Sequence, residues 1–243
     1  MSNQNIEIIS LGSNCAVKMS AQVLNPSQAA YPFDWLITND LNQITHTIKT
    51  KNIDYFTSFE TYKISFGHSN HPVTPVQQSI IDKIDKSLLI AELKDPSKPV
   101  NPESFNKIFG DPSLYKVIVS ILTKGQTILV HDHHVNISWN EVKEKYLRRF
   151  ERFFSLSPSQ PILFVRFSEK TDPINNLIKV LEENYKNFHL LILFYDKNLQ
   201  SEAIYSFNKI TDRCYSYTGK LIFDSRPFYS NIYKRFIEEI IKN

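Results

Sequence analysis

Residues 161–195 read PILFVRFSEKTDPINNLIKVLEENYKNFHLLILFY, and the order of patterns in this stretch decides the fold. Pro161-Ile-Leu-Phe-Val-Arg166 is a short apolar run, which predicts a strand. Thr171-Asp172-Pro173 then opens a helix with proline at its first position, running to about Tyr185. Phe188-His-Leu-Leu-Ile-Leu-Phe-Tyr195 is a second apolar run. A strand, a helix and a further strand in so short a span make a βαβ unit with parallel strands. Apart from Arg166 and His189, both runs are continuously apolar rather than alternating, as expected of strands covered on both faces.

Working outward, Ile6-Glu-Ile-Ile-Ser-Leu11 is another short run, ended by Gly12 and followed by a helix from Asn14 to about Leu24 that Asn25-Pro26 closes. Thr127-Ile-Leu-Val-His131 predicts a strand, and the capping box Ser138-Trp-Asn-Glu141 opens a helix to about Phe154. Towards the carboxyl terminus come a short helix over Ser201–Ile210, a strand over Cys214–Tyr217 and a helix over Asn231–Lys242. Between the first and second strands, residues 40–50, 75–94 and 102–123 read as helices. Residues 52–75 look irregular, apart from a short strand over Tyr62–Phe66. The expectation is a single three-layer α/β domain over residues 1–243, with a mostly parallel sheet and a mainly helical insertion at about 37–120.

The composition is that of an ordinary globular protein: 42% of residues are hydrophobic and 22% charged. A net charge of +3 is too small to imply a nucleic-acid partner. The densest basic run, Lys143, Lys145, Arg148, Arg149 and Arg152, is interleaved with Glu141, Glu144 and Glu151, and reads as a solvated helix face. Two cysteines, Cys15 and Cys214, make no disulfide framework. The polar start Met-Ser-Asn-Gln-Asn carries no secretory pattern, and no apolar run reaches the roughly 18 residues that span a bilayer. These features predict a cytoplasmic protein (or one exported by a signal-independent route) with no membrane partner, cofactor or metal.

Ligands of open parallel sheets bind beyond the carboxyl ends of the strands. Gly12, Ser13, Asn14 and Cys15 follow the first predicted strand, and His131, Asp132, His133 and His134 end the second. Arg166 ends the third, and Asp196 follows the fourth. Cys15 is the candidate nucleophile, because amide groups and the dipole at a helix start favour a thiolate and can hold an oxyanion. His131 or His133 would be its base, and Asp132 or Asp34 would orient that base. Ser13, Asn14, Arg166 and His134 would contact the substrate, a peptide, ester or amide. Zinc competes for the histidine cluster, but no metal-ligand spacing supports it. Asp34 lies in the aromatic stretch Tyr31-Pro-Phe-Asp-Trp-Leu36 and needs a partner such as a histidine or arginine there.

Two alternatives stay open. The Gly12-Ser13 turn resembles the nucleophile position of Gly-Asp-Ser-Leu esterases, so a Rossmann-like and an SGNH-hydrolase-like sheet both meet the pattern, the latter with Ser13 attacking. The same edge would also suit a non-catalytic module holding a nucleotide, sugar or phosphorylated ligand through Arg166 and the helix start.

Ser10-Leu-Gly-Ser-Asn-Cys15 followed by Tyr31-Pro-Phe-Asp-Trp-Leu36 resembles an uncharacterised, mostly bacterial family assigned papain-like cysteine peptidase chemistry. His131-Asp132, Lys145-Tyr-Leu-Arg-Arg-Phe150 and Ile162-Leu-Phe-Val-Arg166 resemble it too, so the likeness runs over roughly residues 6–170. It implies Cys15 as nucleophile, with His131 and an aspartate as partners. His133 stands here where the family has an aromatic residue. A papain-like fold would pair a helical lobe with an antiparallel barrel; the βαβ pattern instead predicts a parallel sheet.

Overall fold

The computed structural model describes residues 6–13, 15–38, 40–66, 117–124, 128–129, 138–168, 173–195, 207–219 and 226–242. Along the chain the elements are β1 (Glu7–Ser10), α1 (Ala16–Leu24), β2 (Leu36–Ile37), α2 (Leu41–Thr50), α3 (Asp54–Thr57), β3 (Phe59–Phe66), β4 (Val117–Thr123) and β5 (Ile128–Leu129). They continue with α4 (Trp139–Phe154), β6 (Ile162–Ser168), α5 (Ile174–Asn184), β7 (Phe188–Tyr195), β8 (Asn208–Lys209), β9 (Cys214–Gly219) and α6 (Arg226–Phe236), which runs into a π-helical turn over Ile237–Ile241. Two compact units divide the chain: residues 1–53 with 149–243, and residues 54–148.

The first unit holds the expected α/β sheet. Its strand order is β1-β6-β7-β9-β8, with β1, β6, β7 and β9 parallel and the short β8 antiparallel to β9. All seven residues of β6 are buried, which is why the run from Ile162 to Phe167 is apolar except at Arg166. On one face, Ile8, Leu163, Val165, Leu191, Leu193 and Tyr217 form a core with Val17 and Ala21 of α1 and with Tyr229, Ile232, Tyr233 and Phe236 of α6. The alternate residues point to the opposite face. There the Phe164 ring lies 6.3 Å from Phe153 of α4 and 5.1 Å from Tyr185, the residue closing α5. Phe33 packs edge-on against Phe150 and Phe153 at 5.7 and 5.5 Å, so the aromatic stretch 31–36 anchors to this same layer. Truncating one such buried ring typically costs about 3–5 kcal/mol. Helices on both faces of this mostly parallel sheet make the first unit a three-layer α/β arrangement.

The second unit departs from the sequence reading. Val117–Thr123, expected at the end of a helix, is the strand β4, antiparallel to β3 with Ile64 opposite Val119. A continuous apolar run such as Val117-Ile-Val-Ser-Ile-Leu122 is compatible with either element, and pairing with β3 decides it. The segment Phe59–Phe66 is one long strand rather than irregular chain with a short strand at its end. Ile128–Leu129 pairs antiparallel with β4, so the predicted second strand does not join the parallel sheet. Of the mainly helical insertion expected at 37–120, α2 and α3 are helical whereas β3 and β4 are extended; residues 67–116 lie outside the described residues. Residues 208–209, expected in a helix, form β8 because Asn208 and Lys209 pair with Ser216 and Tyr215 of β9. Among the described residues no helix is long and apolar enough to cross a membrane.

Candidate active site

The carboxyl end of β1 is where chain geometry becomes unusual. Leu11 continues the ladder, its N–H donating to the Val165 carbonyl (2.9 Å). The backbone then takes two successive left-handed residues, Gly12 (φ +81°) and Ser13 (φ +79°). Left-handed backbone suits glycine and is uncommon for serine. Gly12 is needed for space as well: a Cβ there would lie 2.6 Å from Thr38 Oγ1 and 3.4 Å from Ile44 Cδ1.

Hydrogen bonds hold the turn at each step. Gly12 N–H donates to Ser10 Oγ (3.1 Å), and Ser13 N–H to Thr38 Oγ1 (3.0 Å). Arg166, on β6, reaches across from the sheet. Its Nη1 donates to the Leu11 carbonyl (2.7 Å) and to Thr38 Oγ1 (3.2 Å), and its Nη2 to the Thr38 carbonyl (3.5 Å). Thr38 and Arg166 are both buried, at 3% and 1% exposure. Cys15 stands at the N-cap of α1, half-buried, its carbonyl accepting from Met19 N–H (3.0 Å). The Gly12 and Ser13 amides are thus both engaged within the turn.

One turn further along α1, Lys18 points inward and is fully buried. Its ammonium lies 3.2 Å from Asp34 Oδ2 and donates to the Ala29 carbonyl (2.6 Å) and the Gln28 carbonyl (3.5 Å). Asp34 Oδ2 also accepts from Tyr31 N–H (2.7 Å). Burial pushes the Asp34 carboxyl up to about 6, against the pull of the Lys18 charge and the Tyr31 amide. Asp34 is therefore ion-paired with Lys18, with the Arg149 charge adding a weaker pull, and the pair ties the 28–34 loop to α1.

The other cysteine contrasts with Cys15. Cys214 is buried at the start of β9, and burial pushes its thiol up to about 12. The candidates Asn14, His131, Asp132, His133 and His134, and also Asp196, lie outside the described residues. The structure thus links the Ser13 amide to Arg166 through Thr38 at the carboxyl end of β1, with Cys15 two residues further along the chain, and pairs Asp34 with Lys18 of α1. Sequence reasoning missed Thr38 and Lys18. Thr38 had no local signal, since its partners Ser13 and Arg166 are 25 and 128 positions away. Lys18 did have one: a charge beside Val17 and Ala21 on the apolar face of a predicted helix.

Comparison with known proteins adds the family. A family model described as "Putative papain-like cysteine peptidase" matches residues 6–198. An uncharacterised protein of Acanthamoeba polyphaga mimivirus is 26% identical over 176 residues, covering 72% of this chain and 67% of its own length. No solved structure matches the chain significantly.

Proposed function

The chain belongs to the family described as "putative papain-like cysteine peptidase", and from that premise we propose that it is a cysteine-dependent hydrolase or acyl-transfer enzyme with Cys15 as nucleophile. The observation that carries this reading is the place of Cys15: half-buried, at the start of α1, just beyond a doubly left-handed turn braced from the sheet. Strained backbone held by its surroundings concentrates at functional sites.

In the proposed reaction the Cys15 thiolate attacks a substrate carbonyl. The new C–S bond pushes the carbonyl electron pair onto oxygen, and amides at the helix start hold the oxyanion. A protonated histidine, His131 or His133, gives its proton to the leaving amine or alcohol as the scissile bond breaks, leaving a thioester. Water then attacks, the histidine takes its proton, and Cys15 departs as thiolate. Asp132 is the carboxylate assigned to orient the histidine, because Asp34 is fully buried with its Oδ2 held by Lys18 and the Tyr31 amide.

Iodoacetamide labelling followed by mass spectrometry from pH 5 to 9 tests the reading. Cys15 is expected to react with a midpoint well below the roughly 8.5 of a free thiol, while Cys214 stays unlabelled. Whichever of His131→Ala and His133→Ala raises that midpoint names the base. A Cys15 that reacts only as a slow, ordinary thiol defeats the proposal and leaves the binding-module reading. The left-handed Ser13 favours one rival, an esterase with Ser13 as nucleophile, since serine nucleophiles occur on strained strand-to-helix turns. That rival requires Cys15→Ala to retain hydrolytic activity and Ser13→Ala to lose it.

A further inference from the structure

We propose that Thr38, braced by Arg166, is the positioning residue for Cys15: its hydroxyl clamps the Ser13 amide and so sets the direction in which the chain enters α1. This rests on the reading of Cys15 as nucleophile and names what holds that nucleophile in place.

The geometry supports the assignment in three steps. First, left-handed backbone at Gly12 and Ser13 is unfavourable for the serine and persists only where surrounding contacts impose it. Thr38 supplies such a contact, accepting from Ser13 N–H two positions before Cys15. Second, Thr38 is itself fixed. Arg166 grasps it at both hydroxyl and carbonyl and holds the Leu11 carbonyl with the same nitrogen that holds the hydroxyl. The end of β1, the turn and Thr38 are thereby referenced to one side chain rooted in the buried strand β6. Third, the fit is close enough that Thr38 Oγ1 occupies the space a Cβ on residue 12 would need. A buried guanidinium is a costly way to join two segments, and apolar packing would serve stability alone at least as well. What the guanidinium adds is direction, since its planar fork constrains the groups it binds. Neither Thr38 nor Arg166 is assigned contact with substrate; they act through the backbone of the turn.

The test is the pH profile of Cys15 alkylation in the full chain carrying Thr38→Val, which keeps the shape of the side chain and removes the acceptor, and Thr38→Ser, which restores it. Thr38→Val is expected to move the Cys15 midpoint up towards that of a free thiol and to slow labelling at pH 7 at least about tenfold. Thr38→Ser is expected to stay within about twofold of the unmodified protein. Continued protection of Cys214 in each variant reports an intact core. A midpoint that is low in the unmodified protein and unmoved in folded Thr38→Val overturns the positioning role alone. A midpoint already at the free-thiol value in the unmodified protein overturns the nucleophile reading and this proposal with it. If Thr38→Val exposes Cys214, the profile is taken on Arg166→Lys, which keeps the charge and loses the fork, with the same shift expected. Hydrogen exchange at the Ser13 amide of the unmodified protein is an independent check: slow exchange is expected, and exchange as fast as an open loop overturns the clamp.

Discussion

Lys18 and Asp34 face each other with neither side chain exposed, and the energetics of such a pair are lopsided. Both charges lose their water, so the pair adds little net stability, but removing one partner leaves the other stranded. Lys18→Met is expected to cost about 3–5 kcal/mol in urea denaturation; a loss below about 1 kcal/mol would mean that Asp34 is not charged inside the fold. The raised Asp34 carboxyl also fixes a pH dependence. In the unfolded chain this group titrates near 3.9, and in the folded chain near 6. Between those values the folded state binds the proton more tightly, so the group's contribution is fully present below about pH 4 and is lost as pH rises through 6. Urea midpoints of the unmodified protein, taken relative to Asp34→Asn, should therefore fall from pH 4 to pH 6 and then level off. Parallel profiles for the two proteins would contradict it.

Elements differ in how much of themselves they write into local sequence. The start of α4 is written completely. Ser138 N–H and Oγ–H donate to Glu141 Oε2 at 2.7 and 2.9 Å, and Glu141 N–H donates back to Ser138 Oγ at 3.3 Å. Ser138→Ala is expected to cost about 1 kcal/mol, a fall of about 2–4 °C in thermal midpoint for a chain of this size; an unchanged midpoint would show the cap to be redundant. The β6–α5–β7 unit was legible for the same reason, since period, proline and apolar runs all lie within it. β4 was not, because its apolar run fits a helix equally well until β3 lies beside it. β5 was read as a strand but given the wrong neighbours, since periodicity reveals a strand and not its partner. Of the candidate site, Cys15 at a helix start was readable from the glycine before it. The Thr38–Arg166 brace was not, because no local pattern joins residues 128 positions apart.

At the level of the whole molecule, the family match stops at residue 198, but the core of the first unit does not. Tyr217 of β9 and Tyr229, Ile232, Tyr233 and Phe236 of α6 complete the face that buries Ile8, Val17 and Leu163. A chain ending at residue 198 would leave that face open to water, and an exposed apolar area of this kind drives aggregation. Relative to the full chain, such a truncation is expected to lose solubility or to bind a hydrophobic dye more strongly. A truncated chain with native-like near-ultraviolet circular dichroism would contradict this.

The brace on the Cys15 turn also sets a timetable. Arg166 and the Leu11 carbonyl it holds are 155 positions apart, so on the ribosome the amino-terminal strand is made long before the strand it must join. At about 5–20 residues per second, that delay is roughly 8–30 seconds. β6, β7 and β9 are consecutive neighbours and close short loops, whereas β1 must close the longest one and docks at greater entropic cost. The turn before Cys15 is thus synthesised well before the strand it must join, and the Arg166 brace on it can form only once β6 exists.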